Sequence, residues 1–171
     1  GLLRATAERY KRGHDPRDLD TCHTLIEGLR HLTKARGNMR WYDGGVAGWR
    51  DGNWLKSCRD HSSTIVNPLV RYWEITGDIA ALDFAEAMAE GIVAGVQPWL
   101  DRSRIQPDGS HRSGNCHIVM RAVLGVAQVG QVTNNARLLE WARRVYEFTR
   151  ANGTDWGWYP ENFGIPEHRY R

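Results

Sequence analysis

A chain of 171 residues, 41% of them hydrophobic, is long enough to bury one ordinary core. Its formal charge is only +3, with 23 Lys and Arg interspersed among 20 Asp and Glu, so no nucleic-acid partner is expected, and no apolar run reaches the ~20 residues that span a bilayer, so neither is a membrane. Three cysteines, Cys22, Cys58 and Cys116, cannot form a fully paired disulfide framework. The N-terminus does not read as a signal peptide, and a start at Gly1 instead of Met points to a processed or excised chain, which leaves the compartment unknown.

In chain order, Leu3, Ala7 and Tyr10 stand at helical spacing and predict a helix over residues 2–11, read as the tail of an outer helix. Gly13-His14-Asp15-Pro16 breaks it. Asp18 or Asp20 is expected to cap the next helix, whose stripe is Cys22, Leu25, Leu29 and Leu32, with Gly37 as its stop. Residues 38–60 keep no steady period. They hold Trp41, Trp49 and Trp54 around the Asp43-Gly44 and Asp51-Gly52 turn signals, and their aromatic content argues against disorder. A helix is predicted from near His61, with Pro68 inside it, to Thr76. Gly77 ends it and Asp78 caps a helix carrying Ile79, Leu82, Ala85, Met88, Ile92 and Val96, with Pro98 as its terminator. After a second long loop holding the Pro107-Asp108-Gly109 turn and His111, a third pair of helices runs from Cys116-His117 to about Arg150, joined at Asn134-Asn135. No strand is assigned, although the long loops have room for short hairpins.

Two of these helix pairs are copies. Thr76 and Thr133, Leu82 and Leu139, Phe84 and Trp141, and Ala85 and Ala142 are each 57 residues apart. His61 and His117 are 56 apart, and a fainter third copy is read from Cys22-His23. A period this long exceeds the ~34 residues of a tetratricopeptide repeat. It suits an all-α chain, residues 1–171, of about three antiparallel helical hairpins forming part of an (α/α) toroid. Inner helices are expected to start at Cys22-His23, His61 and Cys116-His117, which gathers the long loops at one rim.

Tyr42-Asp-Gly-Gly45, the run Leu69-Val-Arg-Tyr-Trp-Glu-Ile-Thr-Gly-Asp78, Ser113-Gly-Asn-Cys-His117 and Gly157-Trp-Tyr-Pro-Glu161 give residues 38–165 their character. With these motifs the chain resembles the six-hairpin glycosidase superfamily, nearest to the β-L-arabinofuranosidase-like glycoside hydrolases and their uncharacterised relatives. The resemblance implies a ring of six hairpins, of which about three are here, so the chain is expected to be a fragment or a shortened member. It also implies a Glu and a cluster of Cys around zinc, one Cys acting as nucleophile. The sequence has no Glu-x-Cys and no Cys-Cys pair, so no catalytic residue carries over.

The residues themselves suit carbohydrate. Sugars need flat apolar faces for their C–H surfaces and polar groups for their hydroxyls. The substrate-binding candidates are Trp41, Asp43, Trp49, Trp54, His61, His111, His117, Trp156 and Trp158. Each Trp also suits a structural role folding a loop over the helix ends, and Trp73 and Trp141, inside helical stripes, read as core. Glycoside hydrolysis usually needs two carboxyl groups, ~5–5.5 Å or ~6.5–9.5 Å apart. Among Asp43, Asp51, Asp60, Asp108, Glu161 and Glu167, the catalytic candidates are Glu161, in an aromatic loop, then Asp60 beside His61. A surface or capping role is the commoner use of either carboxylate. Cys22-His23, Cys58 with His61, and Cys116-His117 offer zinc-type donors. But helical neighbours project ~100° apart and no zinc-finger spacing occurs, so no metal or cofactor is expected and the cysteines read as small apolar groups. No phosphate-cradling loop, serine elbow or dinucleotide fingerprint is present. The expected function is a glycoside hydrolase-like protein acting on a polysaccharide or oligosaccharide at the toroid rim. The alternatives are a polysaccharide lyase and a non-catalytic glycan-binding or protein-interaction module. Half a ring would leave apolar helix faces open, so self-association or pairing with the remaining half of the toroid is expected.

Overall fold

The computed structural model describes residues 1–42, 54–94, 116–151 and 153, and only the backbone of 54–64 and 116–118. The described elements are α1 (Leu2–Gly13), α2 (Pro16–His31), β1 (Thr33–Arg36), β2 (Met39–Tyr42), α3 (Trp54–Thr76), α4 (Ile79–Ala94), α5 (Cys116–Val132) and α6 (Ala136–Ala151). The chain is therefore mainly helical, as its periodicity predicts.

Three tight turns make three hairpins, and all three turns use one device. The residue ending the first helix takes a left-handed conformation: His14 (φ 52°), Gly77 (φ 74°) and Asn134 (φ 52°). The residue after it then caps the second helix through its side-chain oxygen. Asp15 accepts from the Arg17 N–H (3.0 Å), Asp78 from the Ala80 N–H (2.9 Å), and Asn135 from the Leu138 N–H (3.3 Å). The later two copies match further. Thr76 and Thr133 each donate a hydroxyl to the carbonyl four residues back, on Tyr72 (2.9 Å) and Val129 (2.8 Å).

This geometry corrects the register of the first copy. Its turn is His14-Asp15, so α1 and α2 together are the first hairpin, and Cys22-His23 lies two turns inside α2 instead of opening an inner helix. Asp15 and Asp78 are 63 residues apart, as are Cys22 and Ala85. Cys22, Ala85 and Ala142 are small and fully or almost fully buried at equivalent points of α2, α4 and α6. The extra residues relative to the later spacing of 57 hid the copy. The cap of α2 is accordingly Asp15, with Pro16 in the first turn, where its missing N–H has no partner to lose. Asp18, expected as a cap, is instead 4% exposed and ion-paired with Arg9 of α1.

α1, α3 and α5 pack side by side as one layer, in that order, and each even-numbered helix returns antiparallel behind its partner. Arg4 donates to Asn67 (3.2 Å) and Arg71 donates to Glu8 (2.6 Å). Both pairs are offset by the same 63 residues, so α1 and α3 run parallel. Asn67 in turn donates to Gln128 of α5 (2.6 Å). In the other layer, α4 touches α6, and the β-hairpin fills the space between α2 and α4.

The core lies between the layers. Val66, Leu69, Val70, Tyr72, Phe84, Met88, Val126, Val129, Leu138 and Val145 are buried there. Trp141 is buried at 3% and Trp73 packs against the core, so both tryptophans read as core from their stripes belong to it. α4 is central and buries Ala81, Phe84, Ala85, Met88, Ala89, Glu90, Gly91, Ile92 and Val93, which is nearly its whole circumference. Glu90 is ion-paired with Arg137, and the Asn135 amide reaches it at 3.4 Å.

The β-hairpin is the main departure from the sequence reading. α2 ends at His31, and Gly37 is not its stop but the first residue of a two-residue turn, Gly37-Asn38 (Gly37 φ 61°). Pairing runs from Thr33 opposite Tyr42 to Arg36 opposite Met39. The strand backbone meets α4 so closely that a Cβ on Gly91 would stand 2.9 Å from the Arg40 carbonyl carbon, and nearer still to its oxygen. α3 also departs from expectation. It begins at Trp54, about two turns before His61, because Lys56, Ser57, Arg59 and Asp60 interrupt the apolar spacing that would reveal its start.

Candidate functional site

The two ends of the hairpin array differ. The short turns at 14–15, 77–78 and 133–135 occupy one end. The opposite end holds the starts of α3 and α5 and the finish of α4. The strand β2 packs on the last turns of α4, which carries Trp41 and Tyr42 to this end. The described residues flanking segments 43–53 and 95–115 therefore lie together here, as does the end of α6.

Of the predicted site residues, Trp41 is placed with its side chain. It is half-buried on β2, directly opposite Lys34. Trp54 begins α3, and Asp60 and His61 lie in its second turn, not at a helix start as expected; His117 is in the first turn of α5. The structure gives the backbone positions of these four. Asp43, Trp49, His111, Trp156, Trp158 and Glu161 lie outside the described residues, as do Asp51, Asp108 and Glu167.

The pleat sorts the hairpin into two faces. Thr33, Ala35, Arg40 and Tyr42 share one, and Lys34, Arg36, Met39 and Trp41 the other. The first faces inward. Arg40 lies over the Phe84 ring at 5.7 Å and donates to the Thr33 hydroxyl (3.0 Å), while Tyr42 packs on the core. Arg30 of α2 approaches the same ring at 5.0 Å and donates to the Ala80 carbonyl (2.6 Å). Two guanidinium groups on one aromatic ring bind the hairpin, α2 and α4 into one unit.

Beside the hairpin, an open groove of about 470 Å³ runs between α1, α2 and α3. Its walls include Leu25, Leu29, Leu32, Tyr42, Ile65 and Pro68. The apolar stripe read on α2 is thus divided. Cys22 is fully buried and Ile26 nearly so, whereas Leu25 and Leu29 are half-buried and Leu32 is 44% exposed along the groove. Periodicity marks these leucines as apolar but not as groove-lining, which depends on how α1 and α3 lie beside α2. Among the described residues of the groove wall, Tyr42 is the one ionisable side chain and no carboxyl pair is present.

A second polar cluster sits near the turn end, where Arg9, Asp18, Cys22 and Tyr72 meet. Burial raises the pKa of the Cys22 thiol, with the Asp18 charge adding to it, and burial likewise raises that of Tyr72. A thiol pushed in that direction is a poor nucleophile. Cys22 therefore acts as the small apolar group its stripe suggests, and His23 meets Tyr72 edge-on at 6.2 Å. Among the described residues no three His, Cys, Asp or Glu side chains are grouped to hold a metal, and no helix is long and apolar enough to cross a membrane.

No protein-family model, curated protein or solved structure matches the chain.

Proposed function

We propose that the chain is part of a carbohydrate-active, glycoside hydrolase-like protein, and that its hairpins are an arc of an (α/α) toroid. The substrate, a polysaccharide or oligosaccharide, is taken at the rim where α3 and α5 begin. One observation carries the reading: the Trp41 hairpin and the starts of α3 and α5 share an end, opposite the short turns. The chain segments attached at that end carry Asp43, Trp49, Trp54, His111, Trp156, Trp158 and Glu161. On this reading Trp41 is a stacking platform, and Asp60 and Glu161 are the acid and base. His61 and His117 are hydroxyl contacts near the helix starts. The open face of α5, and pairing with further hairpins or a second copy, complete the ring.

A second reading is favoured by the groove, whose described walls are mainly apolar. In it the chain binds glycan without cleaving it. One screen separates the two. The purified chain is offered plant, algal and mucin-type glycans while tryptophan fluorescence and product release are followed. Released sugar supports hydrolysis, and an unsaturated product would make the enzyme a lyase instead. A fluorescence change without product supports the binding module. Silence in both with intact helical circular dichroism removes the carbohydrate reading. Trp41→Ala is expected to weaken glycan binding about tenfold or more, since an aromatic platform contributes roughly 1–3 kcal/mol, without loss of helix. Unchanged binding would remove Trp41 from the site.

A further inference from the structure

We infer that the groove beside α2 is a seat for an extended, apolar peptide strand from a polypeptide partner, laid across Gly28 as β2 is laid across Gly91. The inference goes beyond the carbohydrate reading and does not depend on it. The repeat fixes the comparison. At the offset of 63 that matches Asp15 with Asp78 and Cys22 with Ala85, Leu2 corresponds to Ile65, Leu25 to Met88, Gly28 to Gly91 and Leu29 to Ile92. In the second hairpin all four positions are buried. In the first, Leu2 is 65% exposed, Gly28 is exposed, Leu25 and Leu29 are half-buried, and all four line the groove. One difference between the two hairpins is a cover: β2 lies on α4 and also touches α3.

The glycines say what kind of cover fits. Glycine is unfavourable inside a helix, and it is tolerated where another backbone must come close. At Gly91 that backbone is the Arg40 carbonyl, which leaves no room for a Cβ. Gly28 stands at the same point of α2, yet a Cβ there would meet nothing within 4 Å among the described residues. The two seats are continuous, because Tyr42 at the end of β2 forms part of the groove wall. The lengths also agree. The groove-lining stretch of α2 from Thr24 to Leu32 spans about 12 Å, and a four-residue strand such as β2 spans about 13 Å. A strand seated here would bring its backbone to Gly28 and apolar side chains to Leu25, Leu29 and Leu32, with side-chain fit supplying the choice of sequence. A small apolar ligand such as an acyl chain is the less favoured occupant, since it fills a groove without needing a glycine in the wall.

The probe is a synthetic peptide of residues 33–42, capped at both ends, because this stretch contains the strand that occupies the equivalent seat. Its binding to the full, isotope-labelled chain is followed by nuclear magnetic resonance. The expected result is saturable shifts at Leu25, Gly28, Leu29 and Leu32, with Phe84 and Gly91 unmoved. Gly28→Ala is the decisive variant because its two readouts oppose each other. The free chain should melt higher, by about 1–4 °C, while peptide binding weakens about tenfold or more as the new Cβ meets the strand backbone. A variant that binds the peptide as well as the unaltered chain does overturns the inference. Absence of peptide binding to the unaltered chain also overturns it, as do shifts confined to α4, which would mean exchange with β2. Dodecanoate bound in the groove with no peptide bound makes this a small-ligand site and overturns it too. None of these results depends on the glycan screen, so the two readings fail separately.

Discussion

The contact between Gly91 and the Arg40 backbone makes an opposed pair of predictions with Gly28. In an open helix position, Gly→Ala stabilises by roughly 0.5–1 kcal/mol, because glycine loses more backbone entropy on folding. Gly28 lies within α2, and a Cβ there would meet nothing within 4 Å. Gly28→Ala should therefore show that gain, a rise of about 1–4 °C in a chain of this size. Gly91 has the same helical environment but a different neighbour. Its added Cβ would lie 2.9 Å from the Arg40 carbonyl carbon and 3.5 Å from the Arg40 nitrogen. Both partners are backbone, so no rotamer change relieves the overlap. Restoring a normal carbon–carbon separation of ~3.5–4.0 Å moves the strand by roughly 1 Å. That shift loosens Arg40 from Phe84 and Tyr42 from the core. Overpacking of this kind costs about 1–3 kcal/mol, which outweighs the helix-propensity gain. Gly91→Ala is expected to lower the melting temperature by about 2–6 °C and to raise hydrogen exchange in residues 33–42. Thermal denaturation followed by far-ultraviolet circular dichroism reads both variants. If both raise the melting temperature equally, the close approach of β2 to α4 is wrong, and with it the placement of Trp41.

Other consequences are open to similar measurement. The Arg17 side chain, together with its backbone N–H, lowers the pKa of Asp15 to about 2, and Arg143 with Arg144 lowers that of Glu140 to about 2. Folded values below the unfolded ones mean stability that is present above about pH 4 and is lost as pH falls toward 2. Asp15→Ala should lower the melting temperature at neutral pH as a lost cap and make the acid loss shallower, and an unchanged acid transition would count against the cap. Arg137→Ala leaves Glu90, 6% exposed, with the Asn135 amide as its one near partner among the described residues. A destabilisation of about 1–3 kcal/mol is expected, less than for a fully buried pair because Arg137 is half in solvent, and Glu90→Gln should recover part of it. Urea titration of the two single variants and the double variant tests the coupling. Leu124 of α5 is 54% exposed between the half-buried Met120, Val123 and Ala127, so the chain is expected to self-associate and Leu124→Lys to reduce it. A clean monomer by light scattering in the unaltered chain would refute that.

The helices and two of the three turns were legible because their signals are local. Gly77-Asp78 and Asn134-Asn135 each pair a left-handed residue with a capping side chain, and the matching Thr76 and Thr133 make the repeat visible. His14-Asp15 performs the same task, but histidine is a weaker mark of a left-handed stop than glycine or asparagine, and the altered spacing hid the copy. The hairpin is not legible in the sequence although Gly37-Asn38 is a recognised two-residue turn, because neither strand alternates cleanly between apolar and polar residues. Its strands are short and owe their position to α4 rather than to their own pattern. Trp41 was legible as a surface aromatic. That it shares a face with Lys34 and Arg36 required the register.

By itself, the sequence determined the helical class, the period and the side chains that form the core, since each rests on local capping and on apolar spacing within one helix. Tertiary structure decided which helix begins the array, which leucines of α2 line an open groove, and which end of the hairpins gathers Trp41 with the starts of α3 and α5. These depend on contacts between residues some 60 positions apart, such as Arg4 with Asn67 and Asn67 with Gln128, and no local pattern encodes them.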